Sequence, residues 1–221
     1  MDNIKKLLNQ QIEIEITGKT FFQGLLIDIG NDILVLYDGE KFYYIPLLHV
    51  HRIQLDNQTD QEINQPEELL LMQEDESISY RTVLQNAKGV FSEIYVTGDW
   101  SLHGYVTNVL SDYFVFYSPV YKTMLMSLHH LKWLTPYHKN ITPYTLSKEA
   151  LPVNPSSIPL RRFLEDELKR FEGKLVVFDI GENPLKIGLL KKIENKFIEL
   201  VTANGETHYF TLNHIKSIHV P

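Results

Sequence analysis

Residues 16–53 read ITGKTFFQGLLIDIGNDILVLYDGEKFYYIPLLHVHRI, and this stretch decides the fold. Two of its glycines, Gly18 and Gly24, lie on either side of an aromatic pair. The turn-forming pairs Asn31-Asp32 and Asp38-Gly39 then divide the remainder into short apolar segments. Short apolar segments bounded by Gly, Asn and Asp are typical of β-strands and tight hairpins. The stretch therefore predicts a small sheet that bends sharply at its glycines.

The residues before this stretch show the periodicity of a strand. Ile12, Ile14 and Ile16 alternate with Glu13 and Glu15, which predicts one buried face and one polar face. The chain also contains 12 Tyr and 11 Phe, residues that favour pleated, half-buried surfaces. These segments together predict about five short strands in one small module.

The same pattern occurs three times in the chain. Equivalent bends are predicted at Gly24, Gly104 and Gly188, each preceded by a further glycine at Gly18, Gly98 and Gly181. A second signature, Leu-x-His-apolar-basic (or His)-x-apolar, follows at Leu47 and His49, at Leu128 and His130, and at Leu212 and His214. Fixed spacing of this kind indicates tandem structural repeats. We therefore predict three separately cored copies of one module.

The repeats divide the chain into three predicted domains and two linkers. The domains are residues 1–55, 80–135 and 158–221, separated by an acidic linker (56–79) and a proline-rich linker (136–157). Predicted helices precede the domains at Ile4–Asn9, Tyr80–Ala87 and Ile158–Phe171, the last because its apolar residues share one face. Within the acidic linker, Pro66–Met72 suggests one or two helical turns.

Composition excludes several classes of site. The 221 residues include no cysteine, so disulfides, thiolate nucleophiles and Cys-ligated metals are excluded. The net charge of −7 opposes binding to a phosphate backbone. No apolar run reaches the roughly 18 residues that a membrane-spanning helix needs, and the N-terminal residues lack a secretory signal pattern. We expect a soluble, cytoplasmic protein.

Sequence motifs of catalysis are also missing. The chain has no Gly-x-Ser-x-Gly elbow, no phosphate-binding Gly-rich loop and no His-Glu-x-x-His pattern. Asp28, Asp112 and Asp179 fall at predicted strand ends, where turns favour carboxylates. We therefore expect a protein without catalytic activity and without a cofactor.

A short helix followed by about five strongly bent strands resembles the Sm-like fold. Ile14-x-Ile16-Thr17-Gly18 and the following segment to Leu36 are similar to the first Sm motif, and Tyr44–Val50 lies where the second motif is expected. The resemblance is strongest over residues 4–55, weaker over 158–220 and weakest over 80–135. It implies a mainly β fold: three tandem Sm-like five-stranded bent-sheet barrels, each with a short N-terminal helix.

The departures from the Sm pattern concern the RNA contacts. The eukaryotic-type second motif has Arg-Gly where this chain has Pro46-Leu47, Ser127-Leu128 and Thr211-Leu212. The loops after the second bent strand also differ among the three copies. An annular set of RNA contacts is therefore not supported. The third repeat is the most basic, so RNA binding through Lys191, Lys192 and Lys196 is kept as an alternative function.

The tyrosine-rich strand followed by Ile-Pro-Leu-x-His-Val is also similar to Sm-like domains of unknown function in Bacillus-type spore formers, some of them spore-coat associated. Barrels of this kind have exposed edge strands, which are usually relieved by pairing with other barrels. The three copies could pair with each other or, through a second chain, form a six-barrel arrangement. The expected function is a non-enzymatic assembly or scaffold protein, spore-coat related, whose partner is protein, in the first place a second copy of itself. A second alternative is a regulatory adaptor that binds a partner through the acidic linker.

The three repeated histidines allow two interpretations. Imidazoles can ligate zinc, and they titrate near neutral pH. However, His49, His130 and His214 belong to separate predicted barrels, and nothing in the sequence brings them together. We interpret each as a turn residue before the last strand of its repeat and predict no metal site.

Overall fold

The computed structural model describes residues 2–56, 63–72, 78–97, 100–141, 143–146 and 159–221. Within these residues lie three short α-helices: α1 (Asp2–Lys5), α2 (Tyr80–Asn86) and α3 (Leu164–Leu168), the last continued by a 3-10 turn at Lys169–Phe171. The helices at the first and third repeats are thus shorter than predicted. Residues 159–163 are not helical, and residue 158 lies outside the described part.

The remaining structure consists mainly of strands. In the first repeat they are β1 (Gln11–Ile16), β2 (Thr20–Ile29), β3 (Ile33–Tyr37), β4 (Phe42–Pro46) and β5 (Val50–Leu55). In the second they are β6 (Phe91–Thr97), β7 (Trp100–Val109), β8 (Tyr113–Ser118), β9 (Lys122–Ser127) and β10 (Trp133–Pro136). In the third they are β11 (Leu175–Phe178), β12 (Ile187–Glu194), β13 (Phe197–Val201), β14 (Thr207–Thr211) and β15 (Ser217–His219).

All 15 strands belong to one open antiparallel sheet. Its order is β14-β13-β12-β11-β15-β9-β8-β7-β6-β10-β4-β3-β2-β1-β5. Within each repeat the fifth strand lies beside the first, and the second, third and fourth follow in turn. A mainly β fold is therefore confirmed, but the sheet is continuous where the sequence predicts three barrels.

The continuity arises at two places, which we call the first and second junctions. At the first junction β4 pairs with β10, with Tyr44 opposite Leu134. At the second junction β9 pairs with β15, with Leu125 opposite Ile218. Aligned on the Leu-x-His signature, these two residue pairs occupy equivalent positions in their repeats. The same register is therefore used twice.

The repeat glycines lie where the second strand of each repeat is crowded by the third. A Cβ at Gly104 would come within 2.1 Å of the Tyr117 carbonyl oxygen. The corresponding contacts are 2.5 Å at Gly24 and 2.2 Å at Gly188. A few residues further along each of these strands the pairing register shifts, as expected for a bulged, sharply bent strand. Only glycine fits such an approach.

The hydrophobic interior consists of three clusters, but they do not follow the repeat boundaries. One cluster unites Ile33, Val35, Phe42 and Tyr44 of the first repeat with residues of the second repeat. Another places Tyr113, Val115 and Leu125 of the second repeat in the core of the third. The prediction of three separately cored modules is therefore wrong in this detail. β4 and β9, the fourth strands of the first two repeats, bury side chains against the next repeat as well as their own.

The prediction for Pro66–Met72 is also wrong. This segment contains only bends and a turn at Leu70-Leu71. Leu70, Leu71 and Met72 pack against the cluster shared by the first two repeats, and the Asn86 side-chain amide donates to the Leu71 carbonyl at 3.1 Å. Tertiary contacts rather than helical hydrogen bonds hold the segment.

Gly104→Ala should destabilise the protein by about 3 kcal/mol, because its Cβ would collide with backbone that cannot move without breaking the sheet. Gly89→Ala is the matched control: Gly89 has a φ of +76° but no atom within 4 Å of its Cβ position. Only backbone strain of about 1 kcal/mol is expected there. Urea unfolding of the two variants measures the difference, and equal losses would contradict the close-approach explanation.

Candidate functional site

The first junction is held by an aromatic cluster that crosses it. Trp133, at the start of β10, stacks on Tyr95 of β6 with ring centroids 4.0 Å apart and planes 7° apart. It meets Phe22 of β2 edge-on at 5.0 Å, and Phe22 in turn contacts Tyr43 of β4 at 4.9 Å. Trp133 thereby belongs to the hydrophobic cluster of the first repeat. Aromatic pairs in these geometries add attraction beyond the area they bury.

A histidine from one repeat lies against the next repeat at each junction. His49 ends the 3-10 turn Leu47–His49, and its buried ring lies beside the backbone of His129 and Leu131. Burial lowers the pKa of His49, and the nearby Lys132 and His130 lower it further. The Nε2 atom has no hydrogen-bond partner within the described residues. The neutral imidazole is therefore the form that fits this junction.

The second junction repeats this arrangement. His130 ends the 3-10 turn Leu128–His130, and its Nε2 lies 2.8 Å from the Asn213 carbonyl oxygen. Burial is the main cause that lowers the pKa of His130, and Lys216 acts in the same direction. In the alignment of the repeats, Asn213 corresponds to His129 and Lys216 corresponds to Lys132. The second histidine thus meets the same backbone position as the first.

A carboxylate makes a third repeated contact. The backbone N–H of Tyr80 at the start of α2 donates to Asp32 at 2.8 Å. The backbone N–H of Leu164 at the start of α3 donates to Asp112 at 2.9 Å. Asp32 and Asp112 are equivalent, and each caps the helix that leads into the following repeat. The third repeat has Lys196 at this position.

Two strands carry an outer edge without a pairing strand in the described part of the chain, and we call them the free edges. They are β14, the fourth strand of the last repeat, and β5, the fifth strand of the first. Tyr209 on β14 is equivalent to Tyr44 and Leu125, which are 1% and 5% exposed at the junctions, yet Tyr209 is 68% exposed. Leu55 on β5 is also exposed. These edges form the candidate interaction site.

The third repeated histidine lies at a free edge. His214 ends the 3-10 turn Leu212–His214 and is exposed, whereas His49 is buried and His130 is half-buried. The structure does not bring the three histidines together, and the described residues contain no group of three or more His, Asp or Glu side chains placed to hold a metal ion. The position next to the following repeat, rather than a turn-capping role alone, distinguishes His49 and His130.

The other residues of the repeat signature have structural positions. Gly18 and Gly181 adopt φ values of +94° and +78° in turns, and Gly98 lies outside the described residues. Leu47, Leu128 and Leu212 each begin the 3-10 turn that precedes the fifth strand of their repeat. The backbone N–H of each leucine donates to the turn before the third strand of its own repeat, at distances of 2.8 to 3.0 Å. The signature leucine therefore connects the 3-10 turn of each repeat to the turn before its third strand.

The lysines considered for nucleic acid are partly neutralised. Lys191 pairs with Glu199 at 2.7 Å, and Lys192 pairs with Glu194 at 2.8 Å. Lys196 lies in the β12–β13 turn with a positive φ. Because two of the three ammonium groups already contact carboxylates, the positive field available to a phosphate is reduced.

A groove of about 1000 Å³ lies beside the first junction. Its lining includes the carboxylates of Asp38, Glu40, Asp56 and Glu93, and residues 63–68 of the acidic linker form one wall. Lys139 bridges the groove region and the linker through Glu68 at 2.6 Å. Residues 63–68 of the linker are thus in contact with the body of their own chain. No helix within the described residues is long and apolar enough to cross a membrane.

Comparison with known proteins assigns the chain to a family. Residues 163–218, from before α3 to β15, match the model of the YwrJ third domain. Over 225 aligned residues the chain is 49% identical to a Bacillus subtilis (strain 168) protein whose name is "Uncharacterized protein YwrJ", and the alignment covers 100% of both chains. The chain belongs to the YwrJ family. The repeated β-rich architecture described above is therefore that of a YwrJ-family protein.

The junction histidines predict a pH dependence of stability for this YwrJ-family protein. His219 also lies at the second junction, on β15 opposite Met124. Since burial lowers the folded-state pKa of His49, His130 and His219, the unfolded chain binds protons that the folded chain excludes. Above about pH 6.5 these histidines are mainly neutral in both the folded and the unfolded chain, so they do not reduce stability. Below that pH the unfolded chain takes up protons more readily than the folded chain, and the folded state loses stability. The free energy of unfolding, measured by urea denaturation, should therefore decrease as the pH is lowered from 8 to 5.

His49→Gln provides the control, because glutamine keeps a polar side chain of similar reach without a titrating group. The variant should lose part of the decrease in this pH range. An unchanged slope in His49→Gln would contradict the assignment of a neutral histidine to the first junction.

Proposed function

We propose that this protein is a non-enzymatic assembly protein, built of three Sm-like units, that acts through protein–protein contacts at its sheet edges. The observation that carries the proposal is the equivalence of β14 and β5 to strands that are paired at the internal junctions. Fourth-strand and fifth-strand edges pair with each other twice within the chain. Within the described residues one edge of each kind is left unpaired, β14 at one end of the sheet and β5 at the other.

The strand order supports the Sm-like interpretation. Each repeat has its fifth strand beside its first, a short helix near its beginning and a bend at the repeat glycine of its second strand. The short helix and the bend at the repeat glycine are features that the Sm resemblance implies from the sequence. The motif departures at Pro46, Ser127 and Thr211 argue against RNA as the ligand of such units. The proposed role is therefore structural.

Exposed apolar residues at the free edges support contact with protein. An unpaired edge presents a row of backbone donors and acceptors that another strand can satisfy. Tyr209 and Leu55 add side chains whose burial would favour association. The resemblance to domains of spore formers extends the proposal to a setting, the spore coat, in which such a scaffold would be assembled.

Light scattering of the purified chain should give a mass that exceeds the 25.8 kDa monomer and increases with concentration. Tyr209→Lys should shift the distribution towards the monomer, because a charge at an edge opposes strand pairing. Val120→Lys is the control: Val120 is also an exposed apolar residue, but it lies in the β8–β9 turn, away from both free edges. A strict monomer at high concentration, or equal effects of the two lysine variants, would contradict the proposal.

A further inference from the structure

We infer that the partner of the free edges is a second copy of this chain, bound head to tail, with β14 of one copy paired antiparallel with β5 of the other. This inference rests on the proposed assembly function and specifies its partner and register. The internal junctions provide two templates, because each pairs the fourth strand of one repeat with the fifth strand of the next.

The register follows from the templates. Leu134 and Ile218 correspond to Ile53 on β5, and Tyr44 and Leu125 correspond to Tyr209 on β14. Because Tyr44 faces Leu134 and Leu125 faces Ile218, Tyr209 is placed opposite Ile53 of the second copy. His208 is then opposite Gln54, as Met124 is opposite His219 at the second junction.

The backbone of β14 is oriented for this pairing. The N–H of Leu212 donates to the Lys196 carbonyl, on the side of β13. Since successive N–H groups of a strand point in opposite directions, those of Thr207, Tyr209 and Thr211 point away from β13. At the second junction the equivalent of Thr211 is Ser127, whose N–H donates to the Lys216 carbonyl at 3.0 Å. The same bond would join Thr211 to the His51 carbonyl of the second copy.

Side chains fit the same register. Tyr209 would cover the half-buried Ile53, and the exposed Leu55 would lie diagonally beside it, within reach of an aromatic ring. The three residues would form the counterpart of the contacts that bury Tyr44 and Leu125 at the junctions. The exposure of Tyr209 in the single chain is thereby explained.

The histidine contact extends the match beyond the strands. His49 and His130 lie against the backbone of His129 and Asn213, the middle residues of the next repeat's 3-10 turn. The middle residue of the first such turn is Leu48, which is 64% exposed. The register therefore places His214 against the Leu48 backbone of the second copy, with His51 in the position of Lys132 and Lys216.

One repeated contact is missing from the proposed interface. The helix-capping carboxylates Asp32 and Asp112 are replaced by Lys196, so α1 of the second copy would not be capped in the same way. The interface between copies should accordingly be weaker than the internal junctions, which fits a contact that forms and dissociates. Because the two edges differ, the contact is heterologous and produces a closed ring or an open chain of copies.

Engineered cysteines test the register, since the natural chain contains none. The double variant Gln54→Cys/His208→Cys places its thiols on directly opposed residues, whose Cα separation of roughly 4.5–5.5 Å suits a disulfide. Mild oxidation should give covalent oligomers between full-length chains on non-reducing gels. A dimer alone indicates a closed two-copy ring, and a ladder indicates an open chain; either result supports the inference.

Two controls make the experiment decisive. Gln54→Cys/Tyr209→Cys shifts the thiol by one residue to the opposite face and should not cross-link. His208→Cys alone should remain monomeric on the gel, whereas cross-linking of this variant would indicate symmetric β14–β14 pairing and overturn the inference. Equal cross-linking of both double variants would also overturn it, because that result indicates random collision.

Light scattering on the same samples separates the two proposals. If the Gln54→Cys/His208→Cys variant forms oligomers but no disulfide joins its two introduced cysteines, the head-to-tail register is overturned and the assembly function is left standing. A strict monomer without any disulfide would overturn both.

Discussion

The pairing of β4 and β9, the fourth strands of the first two repeats, with the fifth strand of the following repeat is the constraint on which the rest of the structure depends. A short bent sheet of five strands leaves two edges, and neither edge can be buried within its own module. The chain satisfies two such pairs of edges internally, at β4–β10 and β9–β15. The hydrophobic clusters then extend across those pairings, so the modules share their cores. Because two of the three fourth strands pair with two of the three fifth strands, β14 and β5 are left with unpaired edges among the described strands.

Much of each module could be predicted from the sequence, because its causes are local. The alternation around Ile14 and the turn pairs indicate strands, and Gly104 marks a backbone approach that only glycine allows. The helix predicted at Ile158–Phe171 proved shorter, since a shared apolar face does not by itself fix where helical hydrogen bonds begin. Pro66–Met72 showed the same limit: its leucines pack against the core without forming a helix.

The candidate site could not be predicted in the same way. Nothing in the sequence around Tyr44, Leu125 or Tyr209 shows which of them is covered, because exposure depends on a strand from another repeat. The histidine signature was visible as a repeat, but its contact with the following 3-10 turn depends on the same pairing. Alignment of the repeats shows which residues are equivalent, but only the folded structure shows which strand lies beside each of them.

Hydrogen exchange of two equivalent backbone amides tests the pairing constraint most directly. The Ser127 amide, bonded to Lys216 across the second junction, should be strongly protected at every protein concentration. The Thr211 amide, its counterpart on the free edge, should exchange rapidly in dilute solution and become protected as the concentration rises. Rapid exchange at Ser127, or equal protection of both amides in the most dilute sample, would contradict this account.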